Sequence, residues 1–320
     1  MAKSTVSLAL RGSDRVKPET ARRVREVAER LHYRPDPLMS AFSSRRQELR
    51  HPQERATVGV LWPARKEGNL DGHAQTTLVS LGFRMDHFHL SEYRSPAHLA
   101  SVLKARGIPA LLVPEQSTPF ELPGFPWEEF VAIQIGVGVT ELPIDQVRYN
   151  AFDAVRQCWT QVRARGCRRI GGVFFHHGED LSSIDEKLLA AFRLFQERSD
   201  LTARERIPPM VSHVQPGIEC FPEWFRKHRP EVVIGPWPGL YQRHRKLLSQ
   251  SQKFAGYAAV RTSDSCNGVA GCLVHARYLQ LAAIHHLNHR LRETPLESGE
   301  SPRCSIVVEP SWKEGHSLPP

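Results

Sequence analysis

The sequence predicts an α/β fold with parallel sheets, led by a small basic helical head, and three observations predict it. From Thr57 onward, short apolar runs alternate with amphipathic segments, the order that a doubly wound parallel sheet requires. The first 46 residues carry helical periodicity instead, in two short segments standing in tandem. Charge divides the chain near the same point. Residues 1–55 hold thirteen Lys/Arg against seven Asp/Glu, so +6 of the net +9 sits there and +3 on the other 265 residues.

In the first segment, Lys3-Ser4-Thr5-Val6-Ser7-Leu8-Ala9-Leu10, helical spacing gathers Val6, Ala9 and Leu10 on one face and leaves Lys3, Ser4, Ser7 and Leu8 on another. One face packs and the other is free to meet a partner. The second segment opens at Pro18, a permitted first-turn position, with Glu19 complementing the helix dipole and Val24, Val27, Ala28 and Leu31 at helical spacing. Asp36 can cap a third short helix opened by Pro37. A concentrated basic head beside a near-neutral body is the footprint of a phosphate-backbone binder, although charge alone fits a solvated helical face equally well.

Those residues carry a resemblance. Lys3–Leu10, then Val16-Lys17-Pro18-Glu19-Thr20-Ala21-Arg22, then Leu31-His32-Tyr33-Arg34-Pro35-Asp36 closely resemble the DNA-binding head and hinge of the lactose-repressor (LacI/GalR) transcription regulators. The resemblance implies that Lys3–Leu10 is the recognition helix of a helix-turn-helix, that Pro18–His32 supports it, and that Pro37–Arg45 forms a hinge helix in the minor groove. Because the chain opens at the recognition helix, the first helix and its turn, on the order of a dozen residues, are missing from the pattern. Two explanations follow. A GTG-type internal codon was taken for the start, since Val is usual where Met1 stands, or the head is truncated. The expected divisions are a partial helix-turn-helix over 1–33, a hinge helix and linker over 34–55, and an effector and dimerisation domain over 56–320.

Within the head, the resemblance places Lys3, Ser4 and Leu8 against major-groove base edges, and Thr5, Ser7 and Arg11 suit phosphate contacts. Arg34 belongs with these DNA contacts. Phe42 stands where relatives carry an apolar wedge, commonly Leu, that enters a minor-groove step while Arg45 or Arg46 meets phosphates. The competing expectation for Phe42 is packing on a partner subunit or on the body.

Beyond the polar linker 47–54, the expected strands are Thr57–Trp62, Ala110–Pro114, Phe130–Ile135, Arg169–Phe175, Pro230–Gly235 and Lys253–Tyr257. Helices are expected over Pro96–Arg106, Ala151–Arg165 and Asp185–Arg198. Between Trp62 and Leu81 only eighteen residues intervene, and Asp71–Ser80 can make about two or three turns at 1.5 Å per residue. The tail reads as a long amphipathic helix over Val269–Leu291, then a strand at Ser305–Pro310 and a turn. The resemblance implies two lobes like those of periplasmic binding proteins, one over about 56–140 and 268–300, the other over about 141–267 and 301–318. The chain crosses between them three times, and the last strand joins the second lobe.

A cleft of that kind binds small molecules at strand ends. Trp62, Arg65, His176, Trp237, Tyr257 and Arg261 are the candidates, and the alternative is that the aromatics only fill the cleft or its rim. Polar anchors usual in sugar- and purine-binding relatives are replaced here by Leu188, Ala258 and Gly235-Pro236-Trp237, which argues against an ordinary sugar effector. His285 and His289, four residues apart, would share a helical face, but no third ligand stands near them and no metal is expected. Six cysteines without a Cys-x-x-Cys pair read as reduced thiols. No Gly-x-Ser-x-Gly elbow, phosphate loop or His-Glu-x-x-His occurs, so neither an enzyme nor a cofactor is expected. No run approaches the roughly 18 apolar residues of a membrane span, and Met1–Leu10 is too polar for a signal peptide, which implies the cytoplasm. The expected function is a small-molecule-responsive, homodimeric repressor-type regulator on a palindromic operator. The rival expectation is a ligand-binding module that has lost DNA binding.

Overall fold

The computed structural model describes residues 17–30, 56–63, 70–115, 122–136, 141–176, 183–212, 217–266, 268–292 and 302–319. The chain divides into two compact units, Met1–Arg55 and Ala56–Pro320. In the first, α1 (Pro18–Arg30) begins at Pro18 with Glu19 in its first turn; it buries Val24 and leaves Val27 38% exposed. The other head residues lie outside the described ones.

The second unit is built on two six-stranded sheets. The chain runs through β1 (Thr57–Trp62), α2 (Gly72–Ser80), β2 (Arg84–His89), α3 (Pro96–Ala105), β3 (Ala110–Val113), β4 (Val131–Ile135) and β5 (Asp145–Tyr149). It crosses over into α4 (Ala151–Ala164), β6 (Ile170–Phe175), α5 (Ile184–Arg198), β7 (Met210–Ser212), α6 (Phe221–His228), β8 (Val232–Gly235), α7 (Pro238–Ser249), β9 (Gly256–Thr262) and β10 (Ala270–Leu273). It returns as α8 (Ala276–Arg290), adds β11 (Ser305–Val308), and crosses again to β12 (Ser311–Lys313). The first sheet has the order β11-β5-β4-β3-β1-β2, all parallel; the second has the order β12-β10-β9-β8-β6-β7, parallel except where β12 runs against β10. Right-handed crossovers require helices on both faces of such sheets, which is why strands such as β3, β6 and β8 are buried at every position.

Three details correct the expectations from sequence. The segment after Val269 is first a strand: Ala270–Leu273 pairs with β9 and β12, and the helix starts only at Ala276. A continuous apolar run has no period that tells strand from helix, and Gly271 marks the difference. A Cβ on Gly271 would stand 2.2 Å from the Ala259 carbonyl oxygen, so only glycine lets β10 lie this close to β9. Next, β9 extends to Thr262, so Tyr257 lies inside a strand and not beyond its end. Finally, the lobe boundaries move. β5 and Ser305–Val308 complete the first sheet, whereas Ala270–Leu273 and Ser311–Lys313 belong to the second. The chain therefore crosses at Asn150, near His275 and near Glu309.

One buried cluster runs from the α2 and α8 side of the first sheet to α4 and α5 in the second lobe, through Val58, Ile133, Val155, Trp159, Phe192 and Ile284. The opposite faces are filled separately, by Leu99, Leu103 and Trp127 on the α3 side and by Phe221, Phe225 and Tyr257 on the α6–α7 side. Each such side chain contributes about 1.5–3 kcal/mol by leaving water.

Candidate cleft between the two lobes

Parallel strands aim their carboxyl ends at the crevice, so the residues just past those ends decide what it can hold. In the first lobe β3 ends at Val113, and two residues on stands Glu115. In the second lobe β9 carries Arg261 at its next-to-last position. The two meet across the cleft. Arg261 Nη2 donates to Glu115 Oε2 at 2.5 Å and its Nη1 donates to Oε1, a bidentate fork. Burial works against the guanidinium charge, and the Glu115 carboxylate outweighs it, helped by Tyr149 and Asp185, so Arg261 is held above its ordinary pKa. Room for the carboxylate comes from Gly136 at φ 75°, where a Cβ would stand 2.8 Å from the Glu115 Cβ. Tyr149, at the end of β5, is 5% exposed and its hydroxyl is pushed up chiefly by burial, with Arg261 pulling the other way.

A second pair spans the lobes beside the first: Lys187, in the opening turns of α5, lies 3.3 Å from Glu141, just before β5. The crossing segments are braced as well. Asn150 donates from Nδ2 to both Glu309 oxygens at 3.0 and 3.1 Å, and Gln157 donates to the Pro310 carbonyl at 2.8 Å. Asp145 fixes the first-lobe side of this hinge. Its Oδ2 accepts from His286 Nε2 at 2.9 Å and Arg290 Nε at 3.0 Å, and its Oδ1 accepts from the Cys304 backbone N–H at 2.8 Å. One buried carboxylate thus ties β5, α8 and the approach to β11 together.

The structure separates the sequence-derived cleft candidates. Arg261 and His176 lie at strand ends and are engaged by carboxylates, His176 through Nδ1 and Glu186. Trp237 stacks on Phe175, ring centroids 5.0 Å apart and 14° from parallel, at the start of α7. Two expectations need correction. Tyr257 is fully buried in the core, its hydroxyl donates to the Trp237 carbonyl at 2.8 Å, and Gly235 leaves it room; it supports Trp237 from behind. Trp62 is 3% exposed, and its Nε1–H donates to His87 Nδ1 at 2.8 Å, so it too closes the core. Leu188 and Ala258 are buried, which removes the second-lobe positions where polar anchors were sought. Arg65 and the DNA-contact candidates Lys3, Ser4, Thr5, Ser7, Leu8, Arg11, Arg34, Phe42 and Arg45 lie outside the described residues.

Glu115, Glu141 and Lys187 were missed in the sequence. A carboxylate two residues past a buried strand was the available signal for Glu115; nothing local marked Glu141 or Lys187, whose partnership exists only across the lobes. His286 turns inward to Asp145, away from the pair of exposed histidines His285 and His289. Among the described residues no three potential ligands form a metal site, and no helix is long and apolar enough to cross a membrane.

Residues 2–36 match the family described as bacterial regulatory proteins, lacI family. No curated protein matches the sequence. Among solved structures, the chain is similar to a transcriptional regulator CelR-cellobiose complex, at 15% identity and a TM-score of 0.60, with 99% of this chain and 96% of that one covered. It is also similar to the lac repressor dimer bound to operator and the anti-inducer ONPF (13% identity, TM-score 0.58, 98% and 94% covered). A LacI family transcriptional regulator from Silicibacter pomeroyi aligns at 12% identity and a TM-score of 0.56, over 82% of this chain and 99% of that one. The head segment is of the lacI type, and the two-lobed body has the periplasmic-binding-protein-like fold of such regulators.

Proposed function

We propose that this chain, with its lacI-type head and two-lobed body, is a cytoplasmic, sequence-specific transcription regulator. As a homodimer it binds a palindromic operator, and a small molecule held between the lobes sets its affinity for that site. The observation that carries the reading is the union, in one chain, of the head match over residues 2–36 with a body whose lobes are joined by three crossings and strand-end ion pairs. Lys3, Ser4 and Leu8 read base edges, Thr5, Ser7 and Arg11 hold phosphates, Arg34 adds a further DNA contact, and Phe42 is the minor-groove wedge flanked by Arg45.

The effector side rests on Arg261, His176 and Trp237, with Tyr257 packed behind Trp237, Trp62 in the first-lobe core and Arg65 as a further candidate. A ligand that prefers one lobe arrangement shifts the population toward it, and by linkage changes DNA affinity by the same factor by which bound DNA changes the ligand's affinity. Short isolated helices are marginal in water, so paired hinge helices over 37–45 form stably only on the operator and transmit the shift. The cleft binds and carries out no turnover.

Selection of bound duplexes from a random pool tests the reading. An enriched inverted repeat is expected, with Phe42→Ala weakening its binding and reducing its bend. Recovery of no common sequence would leave only a ligand-binding module.

A further inference from the structure

The outer surface of the second lobe carries charge that neither the head nor the cleft uses. Between Phe221 and Lys253 the chain holds seven Lys/Arg against two carboxylates, a surplus of five, although residues 56–320 together carry a surplus of only three. α6 and α7 touch where the Phe221 ring at the start of α6 meets His244, 4.8 Å apart, and Phe225 meets Phe254, just past α7, at 5.5 Å. Arg226 and Lys227 in the last turn of α6, Arg229 following it, Arg243, Arg245 and Lys246 on α7, and Lys253 beyond are all exposed. None of the seven has an ion-pair partner among the described residues. Of the two acids, Glu231 is spent accepting from the Arg168 and Arg169 backbone at 2.9 and 3.1 Å, which leaves Glu223.

The field of these cations is felt locally. His228 is held below its ordinary pKa by burial and then by Lys227 and Arg169, and His244 by burial and then by Arg243. The apolar side chains of this surface, Trp224, Tyr241, Leu247 and Phe254, are half-buried against the core below. The exposed large hydrophobic side chains among the described residues are Val27, Val79, Phe152, Leu194, Tyr278 and Val307, and none falls between Phe221 and Lys253. A protein partner docks through large apolar anchors, and here those side chains are already packed on the lobe's own core while the fully exposed ones are the cations. A polyanion needs only charge, and guanidinium forks, four of the seven here, match phosphate oxygens.

We propose that the α6–α7 face is a second, sequence-independent nucleic-acid surface, which takes the phosphate backbone of a duplex apart from any contact made by the head. A chain with two such contacts can hold two segments of DNA at once, raising the effective concentration of one near the other.

The full chain is titrated with a labelled random duplex of about forty base pairs, roughly four helical turns, across a salt series. Lys3→Ala/Arg11→Ala serves as a background with a weakened head, and the lobe's share is the difference between this background with and without the α7 substitutions. In that background the duplex is expected to bind still. Arg243→Gln/Arg245→Gln/Lys246→Gln should flatten the slope of log affinity against log salt by about 2–3, near 0.9 per lost phosphate contact. The same three positions changed to Glu should flatten it further; if that variant does not fold by circular dichroism, the Gln variant decides. An unchanged slope overturns the proposal. So does equal binding of polyglutamate or of phosphatidylserine vesicles, which would assign the surface to an acidic protein or a membrane.

Discussion

Asp145 takes three donors into a site 5% exposed, and two of them, His286 and Arg290, come from α8. Replacing it with Ala takes the acceptor from the buried His286 ring, at a cost of about 1–3 kcal/mol. Urea unfolding of Asp145→Ala should show a lower midpoint at an unchanged slope; a loss below about 1 kcal/mol would mean that water satisfies the site. His87 offers a test by pH. Its Nδ1 accepts from Trp62, so the ring is neutral with its proton on Nε2. Although the residue is exposed at the sheet edge, the loss of water around its ring, stacked on Trp62, and then His89, hold its pKa below the ordinary value against the pull of Asp86. The unfolded chain therefore binds a proton near pH 6.5 that the folded chain resists. This stabilisation is complete above about pH 6.5 and is lost as pH falls through the lower folded value. The thermal midpoint of the wild type should fall more steeply on acidification than that of His87→Gln, whose amide oxygen accepts from Trp62 at any pH. Parallel pH profiles would contradict this role.

α2 shows how little sequence the first lobe spends on a helix. Its nine residues, Gly72–Ser80, follow the N-cap Asp71, whose Oδ1 accepts from the Ala74 backbone at 2.8 Å, while the Asp71 backbone donates to Gln280 of α8 at 2.9 Å. Asp71→Ala removes the cap for about 1 kcal/mol; an unchanged unfolding midpoint would show that α2 is held by packing alone. The short α2 was legible from spacing, as were β1, β3, β4, β6 and the helices α3, α4 and α5, because each is a buried run or a clean amphipathic stripe. β2 was not, since it is an edge strand with the exposed polar residues Arg84, Asp86 and His87. β10 carries no signal of its own in the sequence, because Val269–Leu273 runs into the helical segment that follows; only the pairing of Gly271 with β9 separates them. β11 was placed in the wrong lobe for a similar reason. Four apolar-leaning residues state no preference between two sheets, and its partner β5 lies more than 150 residues away.

The cleft was half legible for the same cause. Strand-end residues Arg261, His176 and Trp237 could be named from local pattern, whereas Glu115, Glu141 and Lys187 acquire meaning only when two lobes face each other. Those cross-lobe pairs make the arrangement of the lobes a balance of modest terms. The Arg261 and Glu115 side chains are 42% and 28% exposed, so their fork contributes about 1 kcal/mol after screening. A coupling of that size changes an equilibrium about fivefold. The most direct measurement is the affinity of the selected operator duplex for the wild type and for Glu115→Gln/Arg261→Gln, at one salt concentration and with matched thermal midpoints. A change of roughly threefold to tenfold is expected, because unlatching the lobes alters how the hinge helices are held. Identical affinities, with the duplex still bound through the head, would show that the lobes do not govern the DNA contact.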